Sequence, residues 1–250
     1  MASGPLLHLR LMKILLLSPH YDDAPLSLGQ SMLNGVLSRH SVTVGVLFAK
    51  TNWTQWFHPT RGRWPLVSAL RCAEELRTAL NFRYRLKLAP FEEAILRTGE
   101  LNVESYLNQA FEPSTSPELP ALARRIENWS RDFDLTISPM GLGFHIDHSL
   151  TAAAATSLAD RVPIAFYEDR PYASWCTSEE IAVIAQHLGA KLNRRGASPP
   201  ITELKHGKIW YPSQFDQFFT GTAAADVEQR QVEHLWSAEG GLGEGALDML

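Results

Sequence analysis

The chain has 250 residues, 45% of them hydrophobic and 20% charged, with a formal net charge of −4. That length suits one large α/β domain with a sizeable core, so no metal is needed merely to hold the fold together. The weak acidic balance and the lack of a basic block make nucleic acid and anionic membrane surfaces poor partners, and no apolar run approaches the about 20 residues of a membrane span.

Two cysteines, Cys72 and Cys176, lack CxxC or CxxH neighbours, so no thiolate zinc site is readable. A reduced pair fits a cytoplasmic protein. Residues 1–11 read as an N-terminal extension. Arg10 and Lys13 interrupt its apolar run, and no small-residue cleavage site follows, so a secretory leader is not expected.

Lys13–Leu17 is the first strand and ends at Ser18-Pro19. Residues 27–39 have helical character, with Ser27 as cap, and 41–48 form a β-branched strand. An aromatic, proline-containing loop covers 51–65. Residues 67–80 predict an amphipathic helix with Leu70, Ala73, Leu76 and Leu80 on its apolar stripe. A short strand is expected at 84–88, and 89–116 is ambiguous. A helix at 120–131 carries Leu122, Ile126 and Trp129, followed by a strand at 135–138, a helix at 148–159 and a strand at 162–167. A helix is expected at 179–188, mixed structure at 201–211, and a last helix at 223–236. The glycine-rich tail 238–250 reads as mobile, which leaves 12–237 as a single domain. Continuous apolar strands alternating with helices predict a Rossmann-like, three-layer α/β/α sandwich with a mainly parallel sheet. Ligands bind such sheets outside the carboxyl ends of the strands.

Two clusters fall at such ends. The first strand runs into Pro19-His20-Tyr21-Asp22-Asp23, and the strand at 135–138 is followed by a glycine-containing turn and His145-Ile146-Asp147-His148. His20 and Asp23, three apart, can converge on one point while Asp22 points elsewhere. Alone, each cluster also fits a helix start with capping aspartates. Together, His20, Asp23 and His148 supply three ligands for a divalent ion and leave a position open for water, as a catalytic zinc requires. Water in that position titrates near ~7. Asp22 is then placed to take its proton and a protonated His145 to stabilise an oxyanion, with Asp147 bonding an imidazole N–H and favouring the charged form of the ring.

This pairing resembles the LmbE/PIG-L family of metal-dependent de-N-acetylases, across most of residues 12–175. The resemblance includes Arg71 and Glu74 on the second helix and Tyr167-Glu168-Asp169-Arg170-Pro171-Tyr172 after a late strand. It implies a Rossmann-like fold without dinucleotide, zinc on His20, Asp23 and His148, Asp22 as general base, and His145, held by Asp147, polarising the carbonyl oxygen. Ala24, the single Gly29 and the phenol-free turn Gly141-Leu142-Gly143-Phe144 depart from common family patterns. These departures leave the metal and proton-transfer positions intact and bear on the substrate and on any extra oxyanion donor.

The expected reaction is removal of an N-acyl group, acetyl by preference, from a small molecule or glycoside containing an amino sugar. His/Asp sites also accept Fe²⁺ or Co²⁺. Arg71 is either a substrate contact or a surface partner of Glu75. Glu168 and Asp169, just past a strand end, either reach the pocket mouth or pin Arg170 or a neighbouring loop. Trp53 and Trp56, in the aromatic loop, suit a sugar-binding rim, a homo-oligomer interface or a hydrophobic plug. The competing readings are an amidase for a thiol conjugate, a nucleotide-binding module and a metal-binding protein without chemistry. A nucleotide-binding module needs a GxGxxG turn where the chain has paired aspartates.

Overall fold

The computed structural model describes residues 11–56, 60–189, 192–197, 210–229 and 232–250. Most of the N-terminal extension and most of 201–211 lie outside these residues. The described strands are β1 (Lys13–Ser18), β2 (Ser41–Val46), β3 (Arg85–Leu88), β4 (Leu135–Pro139), β5 (Ile164–Tyr167), β6 (Leu192–Gly196) and β7 (His234–Ala238). They form one sheet in the order 3-2-1-4-5-7-6. Strands β1 to β5 pair in parallel, and β7 is antiparallel to both β5 and β6.

β1 is central because it is apolar on both faces. Ile14 and Leu16 enter one core with Val42, Val44, Ile137, Leu28 and Phe82. Leu15 and Leu17 enter the other with Leu122, Ile126, Leu150 and Ala154. The first face is covered by α1 (Asp23–Leu33), α2 (Trp64–Phe82) and α8 (Leu242–Leu247). The second is covered by α4 (Leu119–Ser130), α5 (Ile146–Thr156) and α6 (Ser178–Leu188). The short α3 (Ala94–Thr98) lies between β3 and α4, and α7 (Gln217–Gln229) between β6 and β7. This is the expected three-layer α/β sandwich. The chain leaves β1 towards β2 and β3, then crosses back to lay β4 on the other side of β1. The carboxyl ends of β1 and β4 therefore flank a topological switch point, where such sheets bind ligands.

Several expectations are corrected. α1 starts at Asp23, directly after the β1 turn, and Ser27 is buried inside it, its hydroxyl accepting the backbone N–H of Arg170. Ser18 Oγ makes the early start feasible: it donates to the His20 carbonyl at 2.6 Å and accepts the Ala24 N–H at 3.0 Å. In α2 the predicted apolar stripe faces outward, with Leu76 51% and Leu80 82% exposed, while Arg71, Glu74, Glu75 and Thr78 are buried. Buried polar partners, described below, compensate that inversion.

The last predicted helix, 223–236, is divided between α7 and β7, with Trp236 in the strand. The mobile tail is also corrected. Residues 242–247 are helical, and Ala246 and Leu247 are buried in the first core. Gly243 allows this docking, because a Cβ there would lie 1.8 Å from the Ile164 carbonyl oxygen.

Candidate active site

The turn after β1 and the start of α5 bring His20, Asp23 and His148 together, with one ligating atom of each within 4.8 Å of the others. Asp23 sits at the centre. Its Oδ2 accepts the His20 backbone N–H at 2.7 Å and lies 3.1 Å from His20 Nδ1 and 3.2 Å from His148 Nε2. Each imidazole is held from behind by another aspartate. His20 Nε2 is 3.0 Å from Asp147 Oδ2, and His148 Nδ1 is 2.6 Å from Asp169 Oδ1. Carboxylates in that position fix ring orientation and raise ligand basicity.

Asp169, from the loop after β5, does more. Its Oδ2 accepts the backbone N–H groups of Met140, Gly141 and Leu142 at 2.9–3.0 Å, pinning the turn that follows β4. That turn needs glycine: Gly143 has φ +78°, and a Cβ there would lie 2.5 Å from Tyr172 Cβ.

Asp147 was expected to hold His145. Its carboxylate instead serves His20, the Ala94 N–H at 3.0 Å and Arg97 at 2.6 Å. Its backbone N–H donates to His145 Nδ1 at 3.2 Å. Nδ1 of His145 is thus an acceptor, and Nε2 carries the proton of a neutral ring. The electrostatics agree. Burial, with His20 and His148 alongside, holds His145 well below the ordinary imidazole range despite the opposing pull of Asp147 and Asp23. The expectation of a charged His145 is corrected to a neutral donor.

Asp22 stands outside the His/Asp triangle. Its Oδ1 is 3.1 Å from an Arg71 nitrogen, and the other terminal nitrogen of Arg71 reaches Glu93 at 3.5 Å and Thr51 at 3.1 Å. Burial and the Asp23 charge raise Asp22 above the ordinary carboxylate range, against the opposing pull of Arg71. Burial alone would raise Asp23 too, but His148 and His20 pull it well below. His148 is pushed up to about 9, Asp23 and Asp169 overriding the opposite effect of burial.

Five carboxylates, from Asp22, Asp23, Glu93, Asp147 and Asp169, therefore crowd this end of the sheet. Arg71 and Arg97 supply two permanent positive charges to it. His148 Nε2 is buried with no hydrogen-bond partner, although a carboxylate oxygen is 3.2 Å away. An unpaired imidazole nitrogen beside a carboxylate and a second imidazole, amid surplus negative charge, is a donor set suited to a divalent cation. A second grouping of His20, His145 and Asp147 is equally compact, but its carboxylate is already consumed by Arg97, Ala94 and His20.

One pocket is lined by His20, Asp22, Asp23, Arg71, Glu93 and His145, with Trp53, Tyr106, Tyr172, Gln214 and Phe219 among its walls. Of the other sequence-based candidates, Arg71 and Trp53 are in it. Arg71 is not a surface partner of Glu75, whose carboxyl is buried against Tyr84 and Tyr211 at 2.7 Å. Trp56 is half exposed and outside the pocket lining. Glu168 is also elsewhere: it meets His234, Trp236 and Arg194 and borders a different cavity.

Sequence reasoning missed Glu93, Arg97 and Gln214; for Asp169 it offered the pocket mouth or the pinning of a neighbouring loop, and the carboxylate does pin the turn after β4 while also holding His148. The only signals were a Glu93/Arg97 pair four residues apart, which reads as an ordinary surface pair, and an acidic residue just past a strand end.

Comparison with family models finds no match, and no curated protein matches. Solved structures do. A deacetylase of the teicoplanin biosynthesis pathway, seen in complex with teicoplanin and in a zinc-inhibited form, is 20% identical with a TM-score of 0.61, over 90% of this chain and 97% of the other. The N,N′-diacetylchitobiose deacetylase of Pyrococcus horikoshii is 13% identical with a TM-score of 0.51, over 90% and 83%. The 4-carboxy-2-hydroxymuconate hydratase of Pseudomonas putida KT2440 is 12% identical with a TM-score of 0.52, over 90% and 95%. The chain therefore shares the fold of these deacetylases. The same fold also carries a hydratase, so activity must be argued from the site. Among the described residues no helix is long and apolar enough to cross a membrane.

Proposed function

We propose that the chain is a metal-dependent de-N-acylase of the LmbE/PIG-L type, removing an N-acyl group, acetyl by preference, from a small molecule that contains an amino sugar. One observation carries this reading. His20, Asp23 and His148 converge at the switch point while Asp22 and His145 line the same pocket outside that set. The two deacetylase structures support it, since one is seen bound to teicoplanin and the other is a deacetylase of N,N′-diacetylchitobiose.

His20 through Nδ1, His148 through Nε2 and Asp23 would hold the cation, zinc in this reading. Bound there, it supplies positive charge that polarises an amide carbonyl and acidifies water. The remaining work falls to the chain. Asp22, oriented by Arg71 and made more basic by burial, takes a proton from the attacking water. His145 directs its Nε2–H at the carbonyl oxygen as negative charge develops there. The C–N bond then breaks, and the Asp22 carboxyl returns its proton to the departing amine, giving a free amine and a carboxylic acid, which ionises in solution. A neutral His145 favours Asp22 over His145 as that proton donor.

The pocket continues into a groove lined by Trp53, Leu101, Leu107, Tyr172, Trp175 and Phe219. Aromatic and aliphatic walls of this kind suit the apolar face of a sugar ring or an apolar group attached to it. The direct test combines metal analysis of the purified protein with primary-amine release from a panel of N-acetylated amino sugars and glycosides. The reading expects about one equivalent of divalent metal and amine release that a chelator abolishes. Amine release unaffected by complete metal removal would refute it.

A further inference from the structure

The segment after residue 210 carries an amide in an unusual position. Gln214 borders the pocket of His20, Asp22 and His145 and is 4% exposed. Its Nε2 donates to Ser213 Oγ at 2.7 Å and, at 3.4 Å, to the Trp53 carbonyl. Ser213 Oγ spends its single proton on Glu74 Oε2, 2.6 Å away, so towards Gln214 it can only accept. This fixes which end of the amide is nitrogen. A flipped amide would set oxygen against the Trp53 carbonyl and against a hydroxyl with no proton left to give. Glu74 is held in turn by the Ser213 N–H, which donates to Oε1 at 2.9 Å.

The result is a buried relay from α2 through Ser213 to Gln214. It ends in Gln214 Oε1, which is buried with no hydrogen-bond partner. Native proteins seldom leave such an acceptor unpaired, and those that remain are explained by a role or by a group that arrives later.

We infer that Gln214 is a specificity-determining residue whose Oε1 accepts a hydrogen bond from a ring hydroxyl of the substrate. The inference rests on the de-N-acylase reading above. An amino sugar carries several hydroxyl donors and one amide N–H, and the amide belongs at the reacting end, beside Asp22 and His145. Trp53 and Phe219, lining the same pocket, offer flat apolar surface to the ring. Glu74 and Ser213 act through Gln214 and are positioning residues. A site built to bond a hydroxyl rejects the analogue that lacks it, because its own buried group is left unpaired.

The experiment compares the wild-type holoenzyme and Gln214→Met on N-acetylglucosamine and on its 3-, 4- and 6-deoxy analogues, reading kcat and KM from amine release. Methionine keeps the side chain's length and removes the acceptor. The wild type is expected to lose roughly 10- to 100-fold in kcat/KM on one deoxy analogue. Gln214→Met should lose a similar factor on the parent sugar and show little further loss on that analogue. Ser213→Ala, which frees the amide, should raise KM on the parent while leaving the sensitivity to pH unchanged. Thermal unfolding of each variant separates a lost contact from a damaged fold.

If all three deoxy analogues react as well as the parent, or if Gln214→Met discriminates among them as the wild type does, the inference is overturned while the de-N-acylase reading stands. If the wild type releases no amine from any N-acetylated sugar and none of them binds by calorimetry, both fall.

Discussion

Glu75 offers the most quantitative test of how this fold is held together. Its side chain is fully buried in α2, with Tyr84 on Oε1 and Tyr211 on Oε2, each at 2.7 Å. Burial pushes its carboxyl from the ordinary 4.5 up to about 8, outweighing the two phenol contacts that favour the anion. A tenfold change in proton affinity is about 1.4 kcal/mol, so the raised affinity corresponds to on the order of 5 kcal/mol between the two protonation states. The folded protein binds this proton more tightly than the unfolded chain does. Its contribution is therefore complete below pH 4.5 and is lost as pH rises through about 8. Glu75→Gln is a permanent copy of the protonated group: its oxygen can accept from one tyrosine and its N–H can donate to the other. At pH 9 the variant should exceed the wild type in midpoint of thermal unfolding by roughly 10 °C or more, and at pH 4.5 the two should coincide. The assay is thermal unfolding followed by circular dichroism between pH 4.5 and 9. Parallel curves for the two proteins across that range would refute the argument that burial keeps Glu75 protonated.

Asp22→Ala should retain the metal and lose about 10²- to 10⁴-fold in kcat, measured by amine release alongside metal analysis. His148→Ala should lose the metal itself, and Asp169→Asn should weaken metal affinity by about 10- to 100-fold in a chelator competition, because the His148 ring loses its carboxylate support. Gly243→Ala places a Cβ against the Ile164 backbone, where no side-chain movement can relieve the overlap. It should cost on the order of 3 kcal/mol or more in urea unfolding, and near-wild-type stability would show that α8 is not docked on the sheet.

What the sequence disclosed follows from the range of each signal. Strands β1, β2, β4 and β5 were legible because both faces are buried and the apolar run is continuous. The His/Asp clusters were legible because they follow those strand ends directly. α2 was legible as a helix but not in its orientation. Its hydrophobic stripe is the ordinary sign of a buried face, yet here Arg71, Glu74 and Glu75 turn inward, because Asp22, Ser213, Tyr84 and Tyr211 satisfy them there. These partners lie 9 to 139 residues away in sequence, beyond any local periodicity. β7 and α8 were missed for a similar reason. β7 is only five residues long and α8 is short and glycine-containing, so both have weak local preferences; pairing with β5 and β6 orders the strand, and the close approach to Ile164 seats the helix.

The site's electrostatics explain why so much of it comes from outside the two motifs. His20, Asp23 and His148 alone could form a cation site, but free imidazoles would rotate and paired carboxylates would repel one another. Asp147 and Asp169 hold the rings, at the expense of further buried negative charge. Arg97 and Arg71 offset part of that charge from α3 and α2, and Glu93 ties Arg71 to the same network. Each compensating group comes from a different element, and the elements meet only because β1 and β4 are neighbours across the switch point. Remove one guanidinium and a buried carboxylate loses its permanent positive charge, so Arg71 and Arg97 are tied to the geometry of the candidate metal site although neither could bind a metal. The two short motifs supply the candidate ligands, and the surrounding charges, drawn from the stretch between Arg71 and Asp169, keep those atoms in place.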